Sequence, residues 1–275
     1  MNLDGSVGIV TGAGGGIGAA LCRRFVEHGA RVVATDLDGK RLKSEVESIA
    51  ADHPGSIVAV AGDCASPEHI AATVALAEST FGAPVDVYAA NAGAGLGEGL
   101  DATPADWQTS IDVNLMAHVR AAEVLVPGWL ERAGAGLGGG YFLSTASAAG
   151  LLTQIGSATY SVTKHAAVAF AEWLSVTYGS RGVAVGCLCP MGVNTAMLTS
   201  GAGSDSDTAR QGAKAVTEAG LVLEPLEVAD IVVEAMGTGQ FLILPHPDVL
   251  EFWRRKTSDY DRWLRGMRRY QESLA

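Results

Sequence analysis

The sequence predicts a doubly wound α/β fold, in which helices cover both faces of a parallel sheet of about seven strands and a C-terminal helical extension follows. Three observations predict it. The 275 residues suffice for one large domain. Hydrophobic residues make up 48% of the chain and charged residues 18%, which is typical of an extensive buried core. Short apolar runs alternate with longer segments of helical period, as in repeated βαβ units.

The strand candidates are continuous apolar runs, as expected for strands that are covered on both faces. In chain order they are Val7–Val10, Arg31–Thr35, Ile57–Ala61, Val85–Ala90, Tyr141–Thr145, Val183–Leu188 and Phe241–Leu244. Helical periodicity predicts the helices Ile17–His28, Lys40–Ala51, Pro67–Phe81, Pro104–Ala133, Ala158–Tyr178 and Glu227–Met236. Two of them begin at a proline, a residue favoured in the first helical turn. Residues 1–247 are therefore assigned to one domain.

One segment of this domain, Thr195–Gly220, is rich in Gly, Ser, Ala and Asp and has weak periodicity. It follows a predicted strand, and open α/β sheets bind ligands at the carboxyl ends of their strands. We interpret residues 195–220 as a mobile flap over a ligand. An ordinary surface loop is the alternative, although loops of this length are usually functional or disordered.

Residues 248–275 are predicted to form one amphipathic helix. They carry seven basic and five acidic residues, a net charge of +2, whereas residues 1–247 carry −13. A membrane-surface helix is conceivable, but anionic lipid would repel the acidic body. We therefore expect the apolar stripe to pack over a substrate pocket of its own or of a neighbouring subunit, with a purely structural cap as the alternative. The stripe consists of Trp253, Tyr260, Trp263, Met267, Tyr270 and Leu274.

Composition excludes several classes of protein. The formal net charge of −11 argues against a nucleic-acid partner. The four cysteines lie in apolar stretches without a C-x-x-C pair, which indicates reduced core residues and no metal site. No apolar run reaches the roughly 18 residues that span a bilayer, and no basic segment precedes an apolar one at the N-terminus. We expect a soluble, cytoplasmic protein without a membrane partner. The cysteines are Cys22, Cys64, Cys187 and Cys189.

The first predicted strand runs through Thr11 into a glycine-dense turn that opens a helix. Such a turn lets a pyrophosphate approach the unpaired N–H groups at a helix N-terminus. Gly12, Gly16 and Gly18 fit the spacing G-x-x-x-G-x-G, and Gly12, Gly15 and Gly18 fit G-x-x-G-x-x-G, so the turn alone leaves the subfamily open. A structural turn without a ligand is the alternative.

An acidic residue ends the second predicted strand. Asp36 stands 20 residues after Gly16, the distance at which dinucleotide-binding folds place a ribose-binding carboxylate. Such a carboxylate accepts hydrogen bonds from the ribose hydroxyls and repels a 2′-phosphate, so NAD is favoured over NADP. The alternative is an aspartate that caps the next turn.

Tyr160 and Lys164 are four residues apart in a predicted helix, so their side chains project from the same face. A free tyrosine has a pKa of about 10. A neighbouring ammonium stabilises the phenolate and lowers that pKa toward working pH. By itself, Y-x-x-x-K is usually an ordinary surface pair.

Further motifs stand at separate places in the chain: Asn91-Ala92-Gly93 after the fourth strand, Asn114 in the long helix, and Ser147 after the fifth strand. With the glycine turn and the Tyr160/Lys164 pair, they make the sequence resemble the classical short-chain dehydrogenase/reductase family over about residues 5–245. Ser147 precedes Tyr160 by 13 residues, the spacing in that family. The resemblance implies a Rossmann fold and oxidoreductase activity.

The resemblance also implies a role for each matching residue. Tyr160 is implied as the general acid and base, with Lys164 lowering its pKa and binding the nicotinamide ribose. Ser147 orients the substrate oxygen, and Asn114 holds a water of the proton relay. Asn91 steadies the central sheet edge, with a loop-capping role as the alternative. The implied cofactor contacts are Gly12, Gly16, Ile17, Gly18, Asp36, Asp63, Cys64, Asn91, Ala92, Gly93, Tyr160, Lys164, Pro190, Val193 and Thr195.

The sequence departs from the family at two places that bear on the substrate. Met191 follows Pro190 where the family usually has glycine, and Pro245-His246-Pro247 with the tail replaces a glycine-rich segment. The candidate substrate residues indicate an apolar pocket with few polar groups. They are Leu151, Leu152, Gln154, Met191 and Leu198.

These observations together predict an NAD-dependent oxidoreductase that acts on a mainly apolar secondary alcohol or ketone. Two alternatives remain: an NAD(H)-binding redox sensor without turnover, and an epimerase or dehydratase that uses NAD transiently. The resemblance further implies a homotetramer, paired through the helices predicted at 104–133 and 158–178.

Overall fold

The computed structural model describes residues 1–274 and shows a sheet of seven strands that are parallel to their neighbours. The strands are β1 (Val7–Thr11), β2 (Arg31–Asp36), β3 (Ile57–Ala61), β4 (Val87–Ala90), β5 (Gly140–Thr145), β6 (Val183–Leu188) and β7 (Leu242–Ile243). Their spatial order is β3-β2-β1-β4-β5-β6-β7, that of a doubly wound sheet. The predicted fold class is confirmed, and each predicted strand is present.

Helices flank this sheet, and local capping explains where several begin. At α3, the Ser66 side chain accepts from the backbone N–H of His69. At α4, Thr103 and Asp106 form a reciprocal capping box. The helices are α1 (Gly16–Glu27), α2 (Gly39–Asp52), α3 (Pro67–Phe81), α4 (Pro104–Ile111), α5 (Ala117–Gly134), α6 (Ala149–Leu152), α7 (Ala158–Tyr178), α8 (Ala196–Ala202), α9 (Asp207–Glu218), α10 (Pro225–Thr238), α11 (Pro247–Ser258) and α12 (Tyr260–Ser273).

The core has two layers, one on each face of the sheet. On one face, Phe25 of α1 and Met236 of α10 are completely buried. On the other, Trp129 of α5 and Leu174 of α7 are buried, and the Trp129 indole donates to the carbonyl of Val85. Because helices cover both faces of the sheet, ligands of such folds bind in the crevice at the carboxyl ends of the strands.

The helix predicted over residues 104–133 is interrupted. Asp112–Met116 form a π-helical turn between α4 and α5. Such turns are rare and occur frequently at functional sites. The turn places Asn114 in a completely buried position. Hydrophobic periodicity did not reveal the interruption, because one inserted residue barely changes the pattern.

The segment predicted as a flap contains two helices, α8 and α9, rather than an irregular loop. Ser206 caps α9 by accepting from the N–H of Ala209, and Ala213 and Ala215 form its buried face. Alanine is the best helix former, but small residues give a weak hydrophobic pattern. The glycines and serines around α9 weaken this pattern further, so the sequence did not predict the helix.

The tail also differs from its prediction, because it forms two helices instead of one. Asp259 adopts an extended conformation (φ −154°, ψ 91°), ends α11 and caps α12 by accepting from the N–H of Arg262. Both helices pack on the chain's own body. Lys256 donates to the carbonyl of Leu151 at 2.6 Å, and the Tyr270 hydroxyl donates to the carbonyl of Ala215 at 3.0 Å.

The break at Asp259 divides the predicted apolar stripe. Trp253 packs against the main core, whereas Trp263, Met267 and Tyr270 line a separate cavity. Tyr260, at the break, is 53% exposed. The expectation of one continuous stripe is therefore wrong. In residues 1–274 no helix is long and apolar enough to cross a membrane.

Candidate active site

A cavity of about 450 Å³ lies at the carboxyl ends of the central strands. It opens beside β1, which pairs with β2 on one side and β4 on the other, the point where strand order reverses. We call it the glycine-lined cavity. Most of the predicted cofactor residues lie in its wall: Gly12, Gly16, Ile17, Asp36, Asp63, Cys64, Asn91, Ala92, Gly93, Tyr160, Lys164, Pro190 and Thr195.

Two glycines of the turn are required by close contacts. Gly12 has φ +67°, and a Cβ there would lie 2.8 Å from the Cα of Ala92. A Cβ on Gly18 would overlap the carbonyl oxygen of Gly12. Gly18 therefore lets α1 pack against the turn. It was predicted as a cofactor contact, but it does not line the cavity. α1 begins in the wall at Gly16, so its free N–H groups suit a pyrophosphate.

The predicted ribose carboxylate also holds the glycine turn. Asp36 accepts through one oxygen from the N–H of Gly14 and through the other from that of Asp38, each at 2.9 Å. Asp38 is the cap of α2, whereas Asp36 accepts from the N–H two residues on and so also caps the turn after β2, as the alternative states. Arg41 is an unpredicted member of the wall, and its guanidinium lies against Gly15. Beside the glycine turn, the wall thus presents the Asp36 carboxylate and the Arg41 guanidinium.

Asn91 connects two central strands. Its side-chain amide donates to the carbonyl of Thr11 at 3.0 Å, and the Thr11 hydroxyl accepts from the backbone N–H groups of Asn91 and Ala92. These bonds join the ends of β1 and β4 across the mouth of the cavity. The glycine turn and the following Asn-Ala-Gly motif are therefore held in one fixed arrangement.

The side chain of Asn114 binds a neighbouring loop and helix α7. Its oxygen accepts from the N–H of Ala94 at 2.9 Å, and its amide donates to the carbonyl of Ala94 and the hydroxyl of Thr163. A Cβ on Gly93 would lie 3.3 Å from both this oxygen and the Nζ of Lys164. Asn114 and Lys164 therefore flank Gly93 closely, and a side chain there would have to displace them by a few tenths of an ångström.

Ser147, Tyr160 and Lys164 lie together beside the glycine-lined cavity, whose wall contains Tyr160 and Lys164. The Ser147 hydroxyl donates to the carbonyl of Pro190 at 3.5 Å and accepts from the N–H of Ala149 at 3.1 Å. The Nζ of Lys164 donates to the carbonyl of Thr145 at 2.9 Å and lies 5.6 Å from the centroid of the Tyr160 ring. Helix α7 supplies the tyrosine and the lysine, and the loop after β5 supplies the serine.

The ionisation of this cluster differs from the expectation. Burial raises the pKa of Tyr160 above its ordinary value, and the hydrogen bond with Ser147 offsets only part of that rise. Burial also lowers the pKa of Lys164 to about 8. The ammonium donates to a backbone carbonyl rather than to the phenol, so desolvation outweighs its attraction to a phenolate.

The lowered pKa of Lys164 predicts a pH dependence of stability. Between pH 8 and 10.5 the unfolded chain keeps the proton on this lysine and the folded chain does not. Unfolding then takes up a proton, so the free energy of unfolding rises with pH over this interval. For Lys164 the rise amounts to about 3 kcal/mol.

Chemical denaturation at pH 7.5 and pH 10 measures this effect as the difference between the unsubstituted chain and a Lys164→Met variant. Groups that titrate in both proteins cancel in the difference. At pH 7.5 the free energy of unfolding is expected to be higher for the variant than for the unsubstituted chain, and this difference is expected to shrink at pH 10. A difference that does not change with pH would contradict the lowered pKa of Lys164.

A second cavity of about 310 Å³ adjoins the first, and Ile17, Tyr160, Pro190, Thr195 and Met197 line both. The predicted substrate residues Gln154, Met191 and Leu198 lie in its wall. So does Val193, which was predicted as a cofactor contact but is absent from the wall of the glycine-lined cavity.

Leu151 and Leu152 are not in the wall of the second cavity. Leu151 is buried in the core, and its carbonyl accepts from Lys256. Leu152 lies in the wall of the cavity that the tail helices cover. Leu151 was predicted as a substrate residue, but α6 turns its side chain toward the core.

Hydrogen bonds hold the α9 segment over the second cavity. The carboxylate of Glu98, in the loop after β4, accepts from the hydroxyl of Ser206 at the start of α9. The amide of Gln154 donates to the carbonyl of Gly212 at 3.1 Å. Sequence analysis did not identify Glu98, because its partner lies far away in the chain and the glycine-rich stretch around it has no periodicity.

A second unpredicted residue, His246, holds the turn that contains Met191. Its Nδ1 accepts from the N–H of Met191 at 3.1 Å, so its Nε2 carries the proton and donates to the carbonyl of Gly192 at 3.0 Å. The ring is only 2% exposed, and burial lowers its pKa. His246 directly precedes Pro247, the first residue of α11. Pro245-His246-Pro247, one of the two departures from the family, therefore holds the turn at Met191, which is the other.

The fold and this site define a dinucleotide-binding oxidoreductase: a glycine-lined crevice at the strand switch point joins a second cavity through a buried Ser-Tyr-Lys cluster. The model of the short chain dehydrogenase family matches residues 6–204, and the chain belongs to that family. A curated relative, 1-deoxy-11-beta-hydroxypentalenate dehydrogenase of Streptomyces avermitilis, is 34% identical over 253 residues, which cover 90% of this chain and 87% of that protein.

Solved structures agree with this membership. A short chain dehydrogenase/reductase from Burkholderia phymatum in complex with NAD has a TM-score of 0.84 and 27% identity, covering 95% of this chain and 96% of that one. The L-sorbose reductase from Gluconobacter frateurii, complexed with NADPH and L-sorbose, has a TM-score of 0.75 and 26% identity, covering 89% and 95% respectively. Similar folds therefore bind either cofactor.

Proposed function

We propose that this protein transfers a hydride between NAD(H) and a mainly apolar secondary alcohol or ketone. The observation that carries the proposal is the position of Tyr160, which lines both cavities, with Ser147 in the wall of the second one. A proton-transferring group at this junction reaches the oxygen of a substrate whose carbon faces the glycine-lined cavity. Positioned groups of this kind commonly contribute about 10²–10⁴-fold to a rate.

NAD, when bound, supplies the hydride acceptor and a positively charged ring. In alcohol oxidation, Ser147 donates a hydrogen bond to the substrate oxygen. The Tyr160 oxygen takes the hydroxyl proton as a phenolate, which requires that Lys164 and the positive ring of bound NAD lower the pKa that burial raises. In ketone reduction the same phenol returns the proton. Lys164 binds the nicotinamide ribose and stabilises the phenolate, and Asn114 holds a water of the proton relay beside it.

An absorbance assay at the NADH band over a panel of secondary alcohols tests this function. The proposal expects net NADH accumulation. Binding of NADH without turnover of any alcohol or ketone would instead favour a redox sensor. Conversion of substrate without net NADH would favour an epimerase or a dehydratase.

We propose NAD rather than NADP as the cofactor because of Asp36. Its carboxylate lies in the wall at the end of β2, where it can accept from ribose hydroxyls and repel a 2′-phosphate. Arg41 lies in the same wall and would attract that phosphate. The preference therefore depends on the carboxylate outweighing the guanidinium.

An Asp36→Ala variant is expected to narrow the preference for NAD, because it removes the repulsion and leaves Arg41 to attract the 2′-phosphate. The ratio of kcat/KM for the two cofactors measures this effect. The double variant Asp36→Ala/Arg41→Ala is the matched control and is expected to lose most of the gain with NADP. Equal use of both cofactors by the unsubstituted protein would overturn the proposal.

We also propose a homotetramer that pairs α5 and α7 across two-fold axes. These helices expose apolar side chains: Val124 of α5 is 41% exposed, and Val162, Trp173 and Val176 of α7 are 54%, 52% and 85% exposed. Sedimentation is expected to show a species of four times 28.2 kDa. A species of 28.2 kDa at micromolar concentration would contradict it.

A further inference from the structure

We infer that the two C-terminal helices complete a third cavity, which receives the end of an extended apolar substrate that is remote from its reacting carbon. We call this cavity the tail chamber. The inference rests on the proposed function, because it requires a substrate whose oxygen lies at Tyr160. It adds that this substrate is too long for the second cavity alone.

The tail chamber has a volume of about 380 Å³ and lies between α6, the end of α9 and the tail helices. Phe252, Trp263 and Met267 of the tail face small side chains of the body such as Ala149 and Ala219. The chamber is a half-open cleft rather than an enclosed void. Its volume lies within the range of small-molecule sites, about 300–1,000 Å³, so it is large enough to receive part of a ligand.

The tail chamber and the second cavity share a wall of side chains. Gln154, Ile155, Met191 and Val216 line both cavities. Gln154 is fixed by its bond to Gly212, but Met191 is an unbranched thioether that adapts its shape readily. A rotation of Met191 would join the two spaces, so this residue, unusual at its position in the family, is suited to act as a movable partition.

The electrostatics of the tail chamber favour an apolar occupant. Its two charged lining residues, Arg255 and Glu218, are exposed and lie at its rim, and Arg255 pairs with Glu251. The interior wall offers no charge to an ionised group, which would lose its hydration without gaining a partner. Apolar surface, by contrast, gains free energy in proportion to the area buried there.

The arrangement of the three cavities defines the path of the substrate. The second cavity contains Ser147 and Tyr160 on one side and the shared partition on another. Its volume of about 310 Å³ is at the lower end of the range for small-molecule sites, about 300–1,000 Å³. A substrate held at Tyr160 that exceeds this volume extends through the partition toward the tail.

A series of 2-alkanols from 2-butanol to 2-undecanol tests the inference. Calorimetric titration of the NADH-saturated protein gives Kd without hydride transfer, and an NAD assay gives kcat/KM. For the unsubstituted protein we expect Kd to fall by about three- to fourfold per methylene that becomes buried. An Ala219→Phe variant, which fills the tail chamber, is expected to weaken 2-undecanol at least tenfold and 2-butanol less than twofold.

Thr217→Phe is the matched control, because it adds the same ring at an exposed position of α9 outside the chamber. A second pair covers the case in which Ala219→Phe does not fold. Trp263→Ala is expected to weaken only the long alcohols, whereas Trp253→Ala lowers the Tm and leaves the length profile unchanged.

The outcomes separate the two proposals. Length-dependent binding that Ala219→Phe or Trp263→Ala abolishes supports the tail chamber, even if no NADH forms and the proposed function fails. Turnover with the same length profile in all variants overturns the tail chamber and leaves the proposed function intact. Absence of length dependence in the unsubstituted protein also overturns it.

Discussion

A Tyr160→Phe variant is expected to lose nearly all turnover, by about 10²–10⁴-fold, while its affinity for NADH stays within a few-fold. The substitution removes the only atom of this side chain that can carry a proton and leaves its ring in place. Transition-state stabilisation therefore falls with little loss of binding surface. Steady-state rates with a secondary alcohol and NADH titration by fluorescence measure the two quantities.

Tyr178→Phe is the control for this experiment, because the same atom is removed at the far end of the same helix, outside both cavities. Its activity is expected to match that of the unsubstituted protein. If Tyr160→Phe kept more than a tenth of the activity, the assignment of Tyr160 as acid and base would be wrong.

A Lys164→Ala variant is expected to lose both turnover and cofactor affinity, because the ammonium is assigned to the phenolate and to the nicotinamide ribose. The turnover loss is again about 10²–10⁴-fold. The side chain is 2% exposed and donates to Thr145, so its removal also leaves a buried carbonyl without its partner. Measurement of kcat and of the Kd for NADH separates the two roles.

A Lys164→Arg variant tests whether charge alone suffices. Guanidinium keeps the charge but differs from ammonium in size and in the direction of its donors, so only partial recovery is expected. Unchanged NADH binding in Lys164→Ala would refute the ribose contact, even if turnover were lost.

The parts of the fold that the sequence predicts well are those governed by local pattern. Val183–Leu188 is a continuous apolar run and forms a strand with the predicted bounds. Pro67 begins a helix because proline suits the first turn, and Gly82 ends it in a left-handed conformation. Each of these features depends on neighbours in the chain, so the amino-acid order alone suffices.

The features that escaped prediction depend on tertiary contacts. Whether Leu151 faces a cavity or the core depends on the direction of α6, and Lys256 stabilises that direction from 105 residues away. The pKa of Tyr160 depends on how deeply the folded chain buries it, whereas the spacing of Tyr160 and Lys164 indicates only proximity. Arg41 reaches the glycine turn because α2 packs beside it, which its position in the sequence does not reveal.

The bonds of His246 have a consequence for exchanging parts between relatives. If the tail after Pro247 were independent of the catalytic domain, it could be exchanged between relatives without other changes. However, His246 directly precedes Pro247, and its two ring nitrogens bind the N–H of Met191 and the carbonyl of Gly192. A transplanted tail is therefore expected to function only if the recipient also acquires His246 and the Met191-Gly192 turn that it binds. The junction for such grafts therefore lies before Pro245, and the turn at Met191 has to be transferred together with the tail.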